Sequence, residues 1–313
     1  MHILVTGANG FIGRHLIATL LAQGSVAGRE IQALTALDLA LDQVGDSPLL
    51  HRIPGSYSDP QVLQQAFARP VDLAFHLAAV PSGLCEQNPA LGMEVNVQGM
   101  IRLLDALKAQ QNSCKLVFAS SIAVYGKPDT ELHTDHTPPA PTLSYGAYKV
   151  VGEVLLNDYI RRGWLQGCSL RLPGIVTRPP EPNGAVSIFF SDLIRELAAG
   201  RPVRCPVSPQ AHSWLMSVGC CVRNLLHAAE HQFTTGHTFM LPAQWLSMEA
   251  LVQAIADHCG QPDLAALVDW QPDPWVEFNF GSYPPLSLPL AEAEGFRADE
   301  SLPSLVADSL LAT

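Results

Sequence analysis

Tyr145 and Lys149 stand four residues apart in the run Ser144-Tyr145-Gly146-Ala147-Tyr148-Lys149. That spacing puts both side chains on one face of a helix. An ammonium beside a phenol favours the phenolate and lowers its pKa. Such a pair suits proton exchange with a hydroxyl while a hydride moves at the adjoining carbon. Ser121 closes a short apolar run that reads as a strand. A hydroxyl there can hydrogen-bond the reacting oxygen and hold it in line. Ser121, Tyr145 and Lys149 are therefore the candidate catalytic residues. A tyrosine and a lysine at this spacing carry little weight alone; what precedes them in the chain supplies the rest.

The first strand runs into Thr6-Gly7-Ala8-Asn9-Gly10-Phe11-Ile12-Gly13. Gly7, Gly10 and Gly13 there match the turn that admits a pyrophosphate: one glycine for the tight bend, one for backbone approach, one for close packing of helix on strand. The helix that follows offers free N–H groups and a partial positive charge to the phosphates. Asp38 ends the second strand with no arginine or lysine close by in sequence. A carboxylate in that place accepts hydrogen bonds from the adenosine ribose and repels a 2′-phosphate, which selects NAD over NADP. It falls later than the usual spacing of about 20 residues, because residues 23–32 lengthen the connection.

Something must hold these groups together, and the chain alternates in the way that does so. Apolar runs at 3–6, 33–38, 51–53, 73–77, 116–120 and 168–172 are separated by stretches of helical periodicity, among them 91–109 and 148–160. Continuous apolar strands between helices imply a parallel sheet covered on both faces. Six of them match the α/β, doubly wound Rossmann arrangement. After residue 172 prolines 173, 179, 180 and 182 break the pattern. The expected division is an NAD-binding domain at 1–172 and a smaller C-terminal substrate-binding lobe at 173–313, the chain being free to interleave. Helices are expected there at 188–199, 218–230 and 247–258, with the whole too irregular to form a second independent core.

The 313 residues carry 18 basic and 29 acidic side chains, a formal net charge of −11, and no basic run. That excludes a nucleic-acid partner, which requires a clustered positive surface. The start MHILVTGANG reads as strand and turn, without a charged leader. No apolar run is long enough to span a bilayer. Seven scattered cysteines, without a C-x-x-C pair, read as free thiols of a reducing, cytoplasmic compartment.

Taken together, TGANGFIG, His76-Leu77-Ala78-Ala79, Asn96-Val97-Gln98-Gly99, FASSIAVYG and SYGAYK resemble the extended short-chain dehydrogenase/reductase superfamily, the NAD-dependent epimerase/dehydratases. Ala293-Glu294-Gly295-Phe296 is similar to that family's final helix, so the likeness spans nearly the whole chain. It implies an NAD-dependent oxidoreductase acting on a CH–OH group. It further implies that Phe11 and Ile12 line the pyrophosphate and that Ser56 and Tyr57 lie near the adenine. Leu77, Ala78, Ala79 and Asn96 would flank the cofactor, with Tyr145 and Lys149. Pro173 and Ile175 would meet its nicotinamide end.

One branch, the D-erythronate dehydrogenases, is resembled more closely. The likeness lies in the insertion at 24–31, in Pro81-Ser82-Gly83, and in Arg171-Leu172-Pro173 with Arg178-Pro179. It continues in Pro182-Asn183-Gly184-Ala185 leading to Ser187, Phe189 and Phe190, and in Pro272-Asp273-Pro274. It implies oxidation of the C2 hydroxyl of a four-carbon sugar acid to the 2-oxo acid. Ser82, Ser121, Tyr145, Arg178, Asn183, Ser187 and Trp214 form the expected substrate-binding set, in which arginine grips a carboxylate bidentately. The alternative for Arg178 is a surface salt bridge. Nucleotide-sugar members place an asparagine where Gly174 stands and an arginine near His212; both are absent here. The erythronate branch carries Arg-His-Trp-His where this chain has His212-Ser213-Trp214-Leu215.

His227-Ala228-Ala229-Glu230-His231 matches a zinc-peptidase spelling. The plain reading is a solvated helix end whose histidines suit its dipole, and no metal is expected. His76 reads as a packed structural residue. Two other functions stay open: a nucleotide-sugar epimerase or dehydratase that retains its NAD, and a non-catalytic NAD-binding regulator. The intact Ser121, Tyr145 and Lys149 speak against the regulator. The partner is a small hydroxylated acid, no membrane is expected, and a homodimer through helices 91–109 and 148–160 is.

Overall fold

The computed structural model describes residues 1–110, 112–127, 130–180 and 186–311. Ten strands position the site: β1 (His2–Thr6), β2 (Ala33–Asp38), β3 (Leu50–Pro54), β4 (Leu73–His76), β5 (Lys115–Ser121), β6 (Gln166–Leu172), β7 (Gly174–Val176), β8 (His212–Ser217), β9 (Thr238–Met240) and β10 (Gln244–Ser247). Seven of them form one sheet in the order β9-β6-β5-β4-β1-β2-β3, every pair parallel. The 3-2-1-4-5-6 core of that order is the doubly wound arrangement.

Period-two alternation explains why the central runs are apolar throughout. Ile3 and Val5 of β1, Leu73 and Phe75 of β4, and Val117 and Ala119 of β5 enter one core. Their neighbours Leu4, Ala74, Leu116 and Phe118 enter another on the opposite face. A sheet buried on both sides has no polar face to display.

Helices α1 (Phe11–Gln23), α2 (Ser82–Gln87), α3 (Gly99–Ala109), α4 (Ser144–Arg161), α5 (Phe189–Ala198), α6 (Val218–Glu230), α7 (Met248–Cys259), α8 (Pro274–Phe280) and α9 (Leu302–Leu311) cover the strands. Leu16, Ile17 and Leu20 of α1 and Leu225 of α6 line the first core. Met100, Leu103, Leu104 and Leu107 of α3 and Leu156 of α4 line the second.

The expected helix at 91–109 is interrupted. Pro89–Gly92 is α-helical, Met93–Gln98 winds as a wider π turn, and α3 follows. Within the wide turn, the Asn96 amide accepts from Val80 N at 2.8 Å and donates to Val80 O at 2.9 Å. π segments often mark functional surroundings.

The distal segment departs further from expectation. It contains its own packed core of Phe189, Leu193, Ile194, Leu197, Leu215, Leu251, Ile255, Leu305 and Val306, among others. Pro173, Pro179 and Pro180 hid this because they lie outside the helices. A small sheet β7-β8-β10 underlies that core. Residues of this segment also return to the Rossmann unit, since β9 adds a seventh strand beside β6. Cys85, Cys114, Cys168, Cys205, Cys220 and Cys221 are free and buried, and Cys259 is free and half-buried. Among the described residues, no helix is long and apolar enough to cross a membrane.

Candidate active site

The carboxyl ends of the strands open onto one cleft, where ligands sit in doubly wound sheets. Gly7 follows β1, Asp38 ends β2, Leu77 follows β4, Ser121 ends β5 and Pro173 follows β6. Three adjoining cavities make up the cleft. One of about 570 Å³ is lined by Gly7, Gly10, Asp38, Ser56, Tyr57, Leu77, Ala78 and Ala79, with further apolar residues. A second, about 230 Å³, shares Gly7, Gly10 and Leu77 and adds Phe11, Ile12, Gly13, Ser121, Tyr145, Lys149, Pro173, Ile175 and Arg178. The third, about 110 Å³, shares Ser121, Tyr145, Pro173 and Arg178 and ends among Ser82, Ser187, Phe190, Ser213, Phe280 and Tyr283.

The glycines are sterically required. Gly7 has φ +74°, and a Cβ there would stand 2.6 Å from Ala78 N. A Cβ on Gly13 would stand 2.1 Å from Gly7 O. No side chain caps α1 at Gly10, so its first-turn N–H groups remain for a ligand in the cleft. Asp38 accepts from Asn9 N at 2.9 Å and Leu39 N at 2.7 Å. A carboxylate has about four acceptor sites, so these two bonds orient it and leave capacity toward the cavity. A two-part dinucleotide fits this lining: an elongated cavity ending at a carboxylate, a bare helix start at its middle, and Tyr145 at its far end.

Around the reacting centre, β-strand alternation separates two adjacent serines. Ser120 Oγ donates to Glu153 Oε1 at 2.5 Å. Ser121 faces the cleft, and its Oγ accepts from Ala123 N at 3.1 Å. Tyr145 is hydrogen-bonded to Ser121. Burial raises the phenol to about 12, while the Arg178 charge and the Ser121 hydrogen bond oppose the rise. Lys149 Nζ is 5.5 Å from the Tyr145 ring centroid and donates to Ala119 O at 2.6 Å. Burial lowers Lys149 itself to about 7, with Glu153 pulling the other way.

Glu153 lies one turn beyond Lys149 on the same face of α4. Arg171 of β6 grips it twice, Nε to Oε1 at 2.9 Å and NH2 to Oε2 at 2.7 Å, and also donates to Tyr125 OH at 2.8 Å. The pair is almost wholly buried. The i, i+4, i+8 spacing of Tyr145, Lys149 and Glu153 was open to inspection in the sequence, but nothing there named Arg171 as the partner. Glu86 of α2 is a second residue missed, since it accepts from Ser144 N at 2.8 Å and so holds the start of α4.

Other expected residues lie elsewhere than the lining. Asn96 sits behind the wall, bound to Val80. Trp214 is fully buried behind Tyr283, ring centroids 4.5 Å apart, with its Nε1 donating to Pro284 O at 2.7 Å. Its size and polar tip make it a packing anchor. His212, where an arginine would grip a diphosphate, stacks on Trp245 at 4.4 Å. Asn183 lies outside the described residues. Arg178 lines the cleft and forms no ion pair among the described residues; its Nε donates to Ile175 O at 3.2 Å. His76 is packed as expected, its Nδ1 2.7 Å from Thr6 Oγ1 and its ring edge-on to Tyr57.

His227 and His231 are half-buried and not at a solvated helix end. Their Nε2 atoms each lie 2.7 Å from Glu294, at its backbone O and its carboxylate. The helix end is covered because the C-terminal segment docks on it. Among the described residues, no group of three or more potential metal ligands exists.

The model of the NAD dependent epimerase/dehydratase family matches residues 3–240. D-erythronate dehydrogenase of Cupriavidus necator is 35% identical, over 98% of this chain and 97% of that protein. D-erythronate dehydrogenase of Haemophilus influenzae is 30% identical, over 98% of each. Among solved structures, a nucleoside-diphosphate-sugar epimerase from Agrobacterium tumefaciens is similar at a TM-score of 0.90 and 29% identity, over 100% of this chain and 95% of that one.

Proposed function

The chain belongs to the NAD dependent epimerase/dehydratase family, and from there we propose that it oxidises the C2 hydroxyl of a small sugar acid of the D-erythronate type to the 2-oxo acid. It is an NAD-dependent oxidoreductase acting on a CH–OH group. The finer statement is supported above all by the end of the cleft beyond Tyr145. That cavity holds about 110 Å³, against roughly 300–1,000 Å³ for pockets that hold drug-sized ligands. Phe190, Phe280 and Tyr283 are among the residues that line it. The neighbouring wall is tight as well: a Cβ on Gly174 would lie 2.7 Å from Leu215 Cδ2. A sugar linked to a nucleoside diphosphate needs more room; a four-carbon acid does not.

Each residue then has a task. Arg178 meets the substrate carboxylate, for which a guanidinium fork is the suited partner. Ser121, its Oγ already accepting from Ala123 N, keeps its proton to donate to the reacting oxygen. Tyr145 accepts the hydroxyl proton in its deprotonated form, the phenolate that the Arg178 charge and the Ser121 hydrogen bond favour. Lys149 and the Ala119 carbonyl hold the floor of the site. Gly7, Gly10, Gly13, Asp38, Ser56 and Tyr57 hold the dinucleotide along the larger cavities. NAD, when bound, supplies the acceptor for the hydride from C2.

A second reading, an epimerase that retains its NAD, is favoured by the likeness to the Agrobacterium protein. One assay separates them. With NAD and D-erythronate, L-threonate or uronic acids, the dehydrogenase accumulates NADH in proportion to acid consumed. Conversion of a UDP- or dTDP-sugar, with no NADH from any acid, overturns the proposal.

A further inference from the structure

Ser213 lies on β8, whose alternate residues turn to opposite sides. Trp214 goes to the packed side against Tyr283. Ser213 lines the far end of the cleft with Ser82, Arg178, Ser187 and Tyr283. The residue is 1% exposed, yet its Oγ has no hydrogen-bond partner among the described residues. Other buried polar atoms share that condition, but Ser213 Oγ alone among them belongs to this cavity. A buried hydroxyl without a partner is destabilising and is expected to find one. Ser213 is at the same time one of the residues that line the cavity.

We propose that Ser213 hydrogen-bonds a substrate hydroxyl beyond the reacting carbon and so selects polyhydroxylated acids over simple 2-hydroxy acids. The proposal rests on the dehydrogenase reading above. With the carboxylate on Arg178 and C2 at Ser121 and Tyr145, the outer carbons of the acid point into the end where Ser213 stands. An acid without outer hydroxyls leaves the serine unpaired, whereas one with them completes its bond. Sites built to hydrogen-bond a substrate hydroxyl reject analogues that lack it.

The test compares the unaltered enzyme with Ser213→Ala on D-erythronate and on 2-hydroxybutanoate of the same C2 configuration. The kcat/KM ratio of the first acid over the second falls about tenfold in the variant. The melting temperature without ligand stays level or rises, because an unpaired polar atom is removed. An unchanged ratio, or a clear fall in melting temperature that reveals a protein partner for Oγ, overturns the proposal and leaves the dehydrogenase reading standing. Failure of the unaltered enzyme to oxidise any acid overturns both.

Discussion

Tyr145 is asked to take a proton while burial holds its phenol near 12. Arg178 and Ser121 are the groups that oppose burial, so the phenol is tuned from the substrate side of the site. Tyr145→Phe keeps the ring and its packing and removes the acid–base group. The expected outcome is a drop in kcat on the order of 10²–10⁴, with NAD affinity within a few-fold by fluorescence titration. Unchanged turnover would remove Tyr145 from the mechanism. At the other end of the cleft, Asp38→Asn keeps an acceptor for Asn9 N–H but removes the charge that repels a 2′-phosphate. The preference for NAD over NADP, measured as a ratio of kcat/KM, should fall about tenfold or more. If the ratio holds, selectivity comes from elsewhere in the lining.

At the scale of elements, α4 is tied to the sheet by charge as well as by packing. Arg171 and Glu153 join the helix that carries Tyr145 and Lys149 to β6, behind the strand end that carries Ser121. Arg171→Met leaves the Glu153 carboxylate buried and uncompensated. Breaking such a pair costs about 3–5 kcal/mol, to be read as a lower midpoint in urea unfolding. A loss well under 1 kcal/mol would mean that Glu153 is already solvated. The wide turn at Met93–Gln98 has a comparable positioning role, since Asn96 fixes the Val80 backbone that leads into Pro81 and Ser82. Nothing in the apolar spacing of residues 91–109 announces this, because a π turn keeps a helical pattern while shifting its register.

Across the whole molecule, the C-terminal segment closes back on the Rossmann unit. Glu294 accepts from Thr234 N at 3.1 Å and Thr235 N at 2.8 Å and faces His231. These hydrogen bonds outweigh its desolvation and hold the carboxyl down to about 2, against 4.5 ordinarily. The sign follows: a depressed carboxyl stabilises the fold above pH 4.5, and that contribution is lost as pH falls toward 2. Thermal melts of Glu294→Gln should therefore show a lower melting temperature than the parent at pH 6, with the difference shrinking between pH 4.5 and 2. A difference that stays constant over that range would assign the effect to packing.

The chain by itself determined the chemistry and the scaffold. Residues local in sequence carry that information: the glycine turn needs Gly7 and Gly13 because any Cβ there meets backbone, and Tyr145 and Lys149 share a helix face through spacing alone. Apolar runs without alternation were enough to specify a sheet buried on both sides. Tertiary structure decided what depends on residues distant in the chain. It joined β9 to the sheet, paired Arg171 with Glu153, and brought Phe280, Tyr283 and Ser213 to the end of the cleft. It also turned Trp214 and Asn96 behind the walls they were expected to line. Periodicity reports which face of an element is buried, but not what lies against it, and the shape of a substrate pocket is made of what lies against it.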